Sequence, residues 1–223
     1  MFALDSITWA RICSFLPPAT GETLYMVGWS LVLSSLGGIP LGMILVVTGS
    51  KSILPNTALN LVLSGVVNIT RSVPFIILMV AIIPLTRLLV GSSIGTTAAI
   101  VPLTMAAIPF VARVTEAAVS EVEQGCIEAA LAMGASRLQV VIKALLSEGL
   151  PGLVRGLTIT AVNLTRYSAM AGVLGGGGLG NLAIRYGYQR RETAILVATI
   201  FALVVLVQVI QAIGNRLAEA LSK

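Results

Sequence analysis

The chain has 223 residues, of which 57% are hydrophobic and only 10% are charged, and its mean hydropathy is +0.99. A soluble globular domain carries about 25% charged residues, so this composition excludes that class and predicts an all-α, polytopic membrane protein. The formal net charge of +5 is typical of basic residues at membrane ends and indicates no nucleic-acid partner.

The N-terminal segment, residues 1–22, lacks the pattern of a signal peptide, because no basic stretch precedes an uninterrupted apolar core. Its spaced apolar residues instead predict an amphipathic helix on the outer membrane surface. Pro17-Pro18 is expected to end that helix, since proline removes a backbone donor and its ring clashes with the preceding turn.

Five later segments are long and apolar enough to cross a bilayer, which takes about 20 residues for a helix. The second of them is too long for one straight crossing, so part of it is expected outside the hydrocarbon. Lys and Arg counts, seven on the cytoplasmic side against five outside, weakly favour an outer N-terminus and a cytoplasmic C-terminus. The predicted spans are roughly 23–48, 57–89, 94–114, 152–175 and 193–214, followed by a tail at 215–223.

Small residues recur at every fourth position in the first and fifth spans. This spacing lets helix backbones approach closely where lipid supplies no hydrophobic driving force. Packing within the subunit is favoured over a dimer interface. The residues are Ser30, Ser34, Gly38 and Gly42 in the first span, and Ala194, Ala198 and Ala202 in the fifth.

The segment between the third and fourth spans, residues 120–147, is rich in charged residues and predicts a helical hairpin. Gly134 can adopt the left-handed conformation that ends a helix. We expect a helix at 121–133, a turn at Gly134–Ala135 and a helix at 137–146. Such a hairpin is typical of a docking element for a soluble partner; an amphipathic hairpin on the membrane surface is disfavoured, since anionic lipid repels its acidic charge. Two capping boxes fit the helix starts: Ser120 with Glu123, and Ser136 with Gln139.

Arg166 is the charged residue that stands out within a predicted span. A charge inside the bilayer is costly and indicates function: Arg166 either lines a pathway and pairs with a substrate carboxylate, or lies near the outer end and extends to water. The second interpretation is slightly favoured. Three neighbours, Tyr167, Ser168 and Met170, are further candidates for the pathway.

Several chemistries are disfavoured by the sequence. The nine carboxylates are all predicted outside the middle of the membrane, which argues against a proton-driven secondary transporter. An intramembrane protease is disfavoured because the chain has no histidine and no predicted mid-membrane aspartate. A metal site is disfavoured because the sequence has no Cys/His cluster. The G-x-G-x-x-G at Gly175–Gly180 lacks the strand–helix context of a dinucleotide site and predicts a hinge or a close-packed turn. Cys13 and Cys126 fall on opposite sides of the predicted membrane, so no disulfide is expected.

The stretch Glu128-Ala-Ala-Leu-Ala-Met-Gly134 resembles the "EAA" loop of permease subunits of bacterial ABC importers. Ser147 stands where that family has proline, and Leu150-Pro151 follows. The segment from Asn68 to Leu78 resembles amino-acid importer permeases. Residues 84–112, Tyr167–Met170 and Gly177–Gly180 resemble methionine-uptake permeases.

This resemblance implies a homodimeric permease in the bacterial cytoplasmic membrane, which itself binds no cofactor. Two ATPase subunits would bind ATP and magnesium on the cytoplasmic side, and a substrate-binding protein would deliver methionine from outside. An importer of another amino acid or of a small peptide is the alternative. By resemblance, the residues that contact the ATPase are Glu128, Ala129, Ala130, Met133, Gly134 and Ala135.

Overall fold

The computed structural model describes residues 6–49 and 54–222, which are helical apart from short turns and breaks. The α-helices are α1 Ser6–Thr48, α2 Thr57–Ser72, α3 Phe75–Ala81, α4 Ile83–Val90, α5 Thr96–Ser120, α6 Gln124–Ala132, α7 Arg137–Gln139, α8 Leu146–Glu148, α9 Leu150–Ala171, α10 Gly178–Leu182 and α11 Thr193–Leu221. Three further segments connect them: π1 Val140–Leu145 and π3 Ala183–Tyr188 are π-helical turns, and π2 Gly172–Gly176 is a kink whose backbone leaves the helical conformation at Leu174 and Gly175.

Helix α1 continues through Pro17-Pro18, so the prediction that these prolines end a separate N-terminal helix is wrong. Ile12 and Ala19, which flank the prolines, are both buried in one apolar cluster with Leu179 and Ile195. This packing on either side keeps the segment helical, and prolines are tolerated in apolar helices whose neighbours support the weakened turn. Residues 1–5 of the predicted interfacial segment lie outside the described residues.

Three described helices are long and apolar enough to cross a membrane: Trp9–Thr48, Thr96–Ser120 and Thr193–Leu221. The predicted second span is broken at Val73-Pro74, where the axes of α2 and α3 differ by 102°. If this bent pair is one span, the described residues contain four candidate membrane spans. The 57–89 segment is therefore not one straight crossing. Helix α9 has 22 residues but is not among these apolar helices, because polar and charged residues interrupt it.

The chain divides into two compact units. Unit 1 contains the chain up to Val32 together with Pro74–Met105 and Ala161–Gln211. Unit 2 contains Leu33–Val73, Ala106–Thr160 and the chain from Ala212 onward.

In unit 2, α2 is attached to α5 by Arg113. Its guanidinium donates to Glu116 at 2.5 Å, to the Asn68 side-chain oxygen at 3.0 Å and to the Ser64 carbonyl at 3.2 Å. Arg71 of α2 lies 5.5 Å from the ring centre of Phe110. Because charged donors to carboxylate and carbonyl oxygens are strong in partly buried sites, these contacts fix the position of α2 along α5.

The small residues of α1 pack within the chain, as expected. Ser30 and Ser34 are buried in units 1 and 2 respectively. In unit 2, a Cβ added at Gly38 would lie 2.8 Å from the Ile108 carbonyl oxygen, and one at Gly42 would lie 2.4 Å from that of Ala112. These glycines therefore allow the backbones of α1 and α5 to touch.

Two adjacent glycines of α1 provide a matched test of this contact. Gly38→Ala is expected to destabilise the protein by about 1–3 kcal/mol, as overpacking does. A Cβ at Gly37 would meet Ile108 at an ordinary 3.5 Å, so Gly37→Ala should change stability by less than about 1 kcal/mol. Heat-induced aggregation midpoints of the purified protein in detergent measure the stability of both variants. Equal midpoints for the two variants would contradict the backbone contact.

Candidate functional site

The segment predicted as a docking hairpin is formed by α6, a turn, and the helical run α7–π1–α8, all in unit 2. Gly134 has φ +83°, and the Ala135 N–H donates to the Ala130 carbonyl at 3.1 Å. This bond across the end of α6 is that of a Schellman motif, which explains why glycine occupies the turn. The prediction of a turn at Gly134–Ala135 is confirmed.

The second predicted capping box is confirmed and the first is wrong. The Ser136 hydroxyl accepts from the Gln139 N–H at 3.3 Å, and the Gln139 side chain accepts from the Ser136 N–H at 2.8 Å. Ser120, by contrast, is the last residue of α5, and α6 begins only at Gln124. A Ser-x-x-Glu pattern cannot distinguish a helix start from a helix end when the preceding span continues to the serine.

The hairpin exposes an apolar surface flanked by a carboxylate. Met133 is 82% exposed, Leu138 68% and Ile142 53%, while Glu128 and Ala129 on α6 are also exposed. Isolated exposed apolar residues are normal on proteins, but three on one short hairpin, beside small residues that permit close approach, are typical of an interaction surface.

The four candidate pathway residues on α9 are not brought together. Arg166 and Met170 are exposed, one helical turn apart. Tyr167 instead stacks on Phe75, with ring centres 4.8 Å apart and planes 10° apart. Ser168 is buried and donates to the Thr165 carbonyl at 2.8 Å. Tyr167 and Ser168 therefore make contacts within unit 1, Arg166 and Met170 are the exposed pair, and the assignment of all four to a pathway stays a prediction.

Arg166 and Met170 line a largely apolar cavity of about 430 Å³ in unit 1, between α9 and α11. Among the described residues, the Arg166 guanidinium has no hydrogen bond or ion pair. A cation beside apolar walls suits a ligand that carries both a carboxylate and an apolar side chain. The other lining residues are Thr165, Ala169, Val173, Gly180, Ala183, Ile184, Leu203 and Val207.

The glycine-rich segment after α9 is a close-packed turn. Gly177 and Gly178 have φ +81° and +72°, and the Gly178 N–H donates to the Glu22 carboxylate at 2.6 Å. Beside it, the Leu179 N–H donates to the Thr23 hydroxyl at 2.9 Å. Glu22 precedes the predicted first span, and the sequence does not indicate this contact. No local pattern indicates it, since the two partners are 156 residues apart.

Comparisons with known proteins place the chain in a family. The family model described as "Binding-protein-dependent transport system inner membrane component" matches residues 38–223. The chain belongs to this family.

Individual members of this inner-membrane transport family match almost the whole chain. The "Probable D-methionine transport system permease protein MetI" of Vibrio cholerae is 54% identical over 216 residues, which is 97% of this chain and 93% of that protein. The "Methionine import system permease protein MetP" of Bacillus subtilis is 43% identical over 92% of each chain. A chain of the MetNI methionine ABC transporter, solved in an inward-facing conformation, is 45% identical with a TM-score of 0.93, covering 96% of this chain and 99% of that one.

The left-handed turn can be tested with two glycines of the hairpin that both have open space around them. Gly134→Ala should destabilise the hairpin by about 1 kcal/mol, because an L-residue is strained at this φ. Gly125→Ala, in helical conformation within α6, should leave it unchanged or slightly more stable. Hydrogen exchange of the backbone amides of residues 136–140 measures this stability. Equal exchange rates in the two variants would contradict the assigned turn.

Proposed function

We propose that this chain is the membrane-spanning permease subunit of an ATP-driven importer and that its substrate is methionine. The observation that carries the proposal is the combination of 43–54% identity to methionine permeases over more than nine-tenths of the chain with a fold that matches the MetNI transporter. The subunit itself performs no chemistry. It provides the route through the membrane, and hydrolysis of ATP takes place on a separate chain.

In this proposal the chain forms five spans, with its N-terminus outside and its C-terminus in the cytoplasm. Besides the three apolar helices, the bent α2–α3 pair and α9 each cross the membrane. The polar residues of α9 suit a helix that borders a water-filled route rather than lipid. Two copies of the chain assemble around that route in the bacterial cytoplasmic membrane.

The family match and the exposed hairpin support the following partners. Two ATPase subunits, which bind ATP and magnesium, dock on the cytoplasmic side. A substrate-binding protein delivers methionine to the outer side. The contact with the ATPase is made by α6 and the turn, through Glu128, Ala129, Ala130, Met133, Gly134 and Ala135.

Several observations support docking at the hairpin. Exposed Met133 can enter an apolar groove of the ATPase. Ala129 and Ala130 allow close approach, and Glu128 can pair with a basic residue of the partner. The capped turn gives the hairpin a defined shape, so that movement of the ATPase subunits is transmitted to the spans that precede α6 and follow α8.

Arg166 and Met170 are the residues proposed to meet the substrate. The guanidinium would pair with the methionine carboxylate, and the apolar wall of the cavity would accept the thioether side chain. Tyr167 and Ser168 contribute by holding α9 in place.

Uptake of labelled methionine tests the proposal directly. The complex, purified from native membranes through this subunit, is placed in proteoliposomes with ATP inside and the substrate-binding protein outside. ATP-dependent accumulation that unlabelled methionine abolishes supports both importer and substrate. A co-purifying ATPase without methionine uptake would leave an importer of another amino acid or small peptide. Uptake driven by an ion gradient, without an ATPase, would overturn the importer.

Reversing the charge of Glu128 is expected to uncouple ATP hydrolysis from uptake. Glu128→Lys would place a cation against the basic partner surface, which costs several kcal/mol at a close contact. Methionine uptake should fall at least tenfold while the protein remains in the membrane at normal amounts. Glu219→Lys, an equally exposed carboxylate in the C-terminal part of α11, serves as the control and should transport normally. Normal uptake by the Glu128 variant would exclude this contact.

Removing the Arg166 guanidinium is expected to impair transport without releasing the ATPase. Arg166→Ala should lower the rate of methionine uptake by about tenfold or more, because one charged hydrogen bond to a carboxylate contributes about 1.5–3 kcal/mol. Arg166→Lys should retain part of the activity. Arg155→Ala, on the same exposed face of α9 three turns earlier, is the control. Unchanged kinetics of the Arg166→Ala variant would assign this arginine to the membrane surface instead.

A further inference from the structure

An apolar groove of about 430 Å³ lies between the first turns of α1 and α11, in unit 1 and apart from the Arg166 cavity. Its walls carry exposed side chains, with Trp9 58% exposed and Phe201 69% exposed. Both helices are long and apolar enough to cross a membrane. The lining residues are Trp9, Ile12, Leu16, Ala194, Val197, Ala198 and Phe201.

A cluster of guanidinium groups lies at one end of this groove. Arg11 forms an ion pair with Glu192 at 3.0 Å, which joins the beginnings of the two helices. The rings of Phe15 and Tyr186 pack with their centres 4.8 Å apart. Three arginines lie against these two rings: Arg11 at 5.9 Å from the Phe15 centre, and Arg185 and Arg190 at 5.9 and 4.6 Å from that of Tyr186.

Most of this positive charge is not neutralised within the described residues. Glu192 pairs with Arg11 alone, whereas Arg185, Arg190 and Arg191 are exposed and form no ion pair or side-chain hydrogen bond there. Stacking on an aromatic face orients a guanidinium while leaving its N–H donors free. Those donors match the oxygens of a phosphate group.

Arg191 adds a second indication. It is the non-glycine residue with positive φ among the described residues, at +57°. An L-residue in this region is strained relative to glycine, so the turn between π3 and α11 carries an arginine where glycine would be less strained. Strain of this kind concentrates where a side chain is needed for binding.

From these observations we propose that this end of unit 1 is a binding site for one anionic phospholipid. The arginines bind the phosphate headgroup, and an acyl chain occupies the groove between α1 and α11. A soluble acidic protein would satisfy the arginines but not an apolar groove between two membrane-spanning helices. A zwitterionic lipid would fill the groove but gain less from the net positive cluster.

The test is lipid binding to the purified intact transporter, followed by native mass spectrometry. Dioleoyl phosphatidylglycerol and dioleoyl phosphatidylcholine carry the same acyl chains and differ in headgroup charge. Phosphatidylglycerol is expected to bind at least about tenfold more tightly. The double substitution Arg190→Gln with Arg191→Gln should remove that preference. The control Arg87→Gln alters an exposed arginine that lies next to Ser93 instead and should preserve it.

Further experiments separate the contributions of the groove wall, of Arg191 and of the acyl chains to lipid binding. Phe201→Ala should weaken binding of both lipids, because it removes a wall of the groove. Arg191→Gly should weaken phosphatidylglycerol binding while leaving the unfolding midpoint without added lipid unchanged or higher. Glycerol phosphate, which has the headgroup without acyl chains, should not displace the bound lipid at equal concentration.

Two results would overturn the proposal. The first is that phosphatidylglycerol and phosphatidylcholine bind equally tightly to the unsubstituted protein, and that the arginine substitutions leave both affinities unchanged. The second is unchanged lipid binding in the double variant together with weakened attachment of a soluble protein partner in phosphatidylcholine bilayers. That second result would assign the arginines to a protein interface.

Discussion

The close approach of helix backbones at small residues is the constraint on which the rest of the structure depends. Lipid is as apolar as leucine, so burying large apolar side chains between membrane helices brings little gain, and contact distance decides which helices associate. In unit 2, Gly38 and Gly42 bring α1 against α5. In unit 1, Gly177 and Gly178 bring the segment after α9 against Glu22 and Thr23 of α1. Helix α1 is thereby the common support for elements far apart in the chain.

Polar contacts then select one arrangement among those that the small residues permit. Glu22 accepts a backbone N–H at the start of α10, and Arg113 holds Asn68 and Ser64 of α2. An unpaired polar group in a dry environment is costly, so a shifted helix would lose these bonds with no water to replace them. The same reasoning explains why exposed Arg166, which has no such bond among the described residues, is a better candidate for binding a ligand than Tyr167 or Ser168.

The hairpin was predictable because its signals are local. Gly134 and the Ser136–Gln139 pair act within one turn of the chain, and the structure has both as predicted. The two predictions that are wrong concern positions where a local signal competes with contacts to distant parts of the chain. Pro17-Pro18 does not end α1, because Ile12 and Ala19 pack in one cluster on either side, and Ser120 does not cap α6, because α5 continues to it.

Composition and periodicity determined that this chain is a helical membrane protein, and short motifs determined that it carries a charged hairpin between apolar segments. These properties depend on residue type and on spacing within one or two helical turns, which a sequence displays directly. Only the tertiary structure decided that Arg166 and Met170 share a cavity while Tyr167 stacks elsewhere, and that Arg11 meets Glu192 from 181 residues away. Which face of a helix meets which neighbour depends on backbone contacts between distant segments, and no local pattern of residues encodes them.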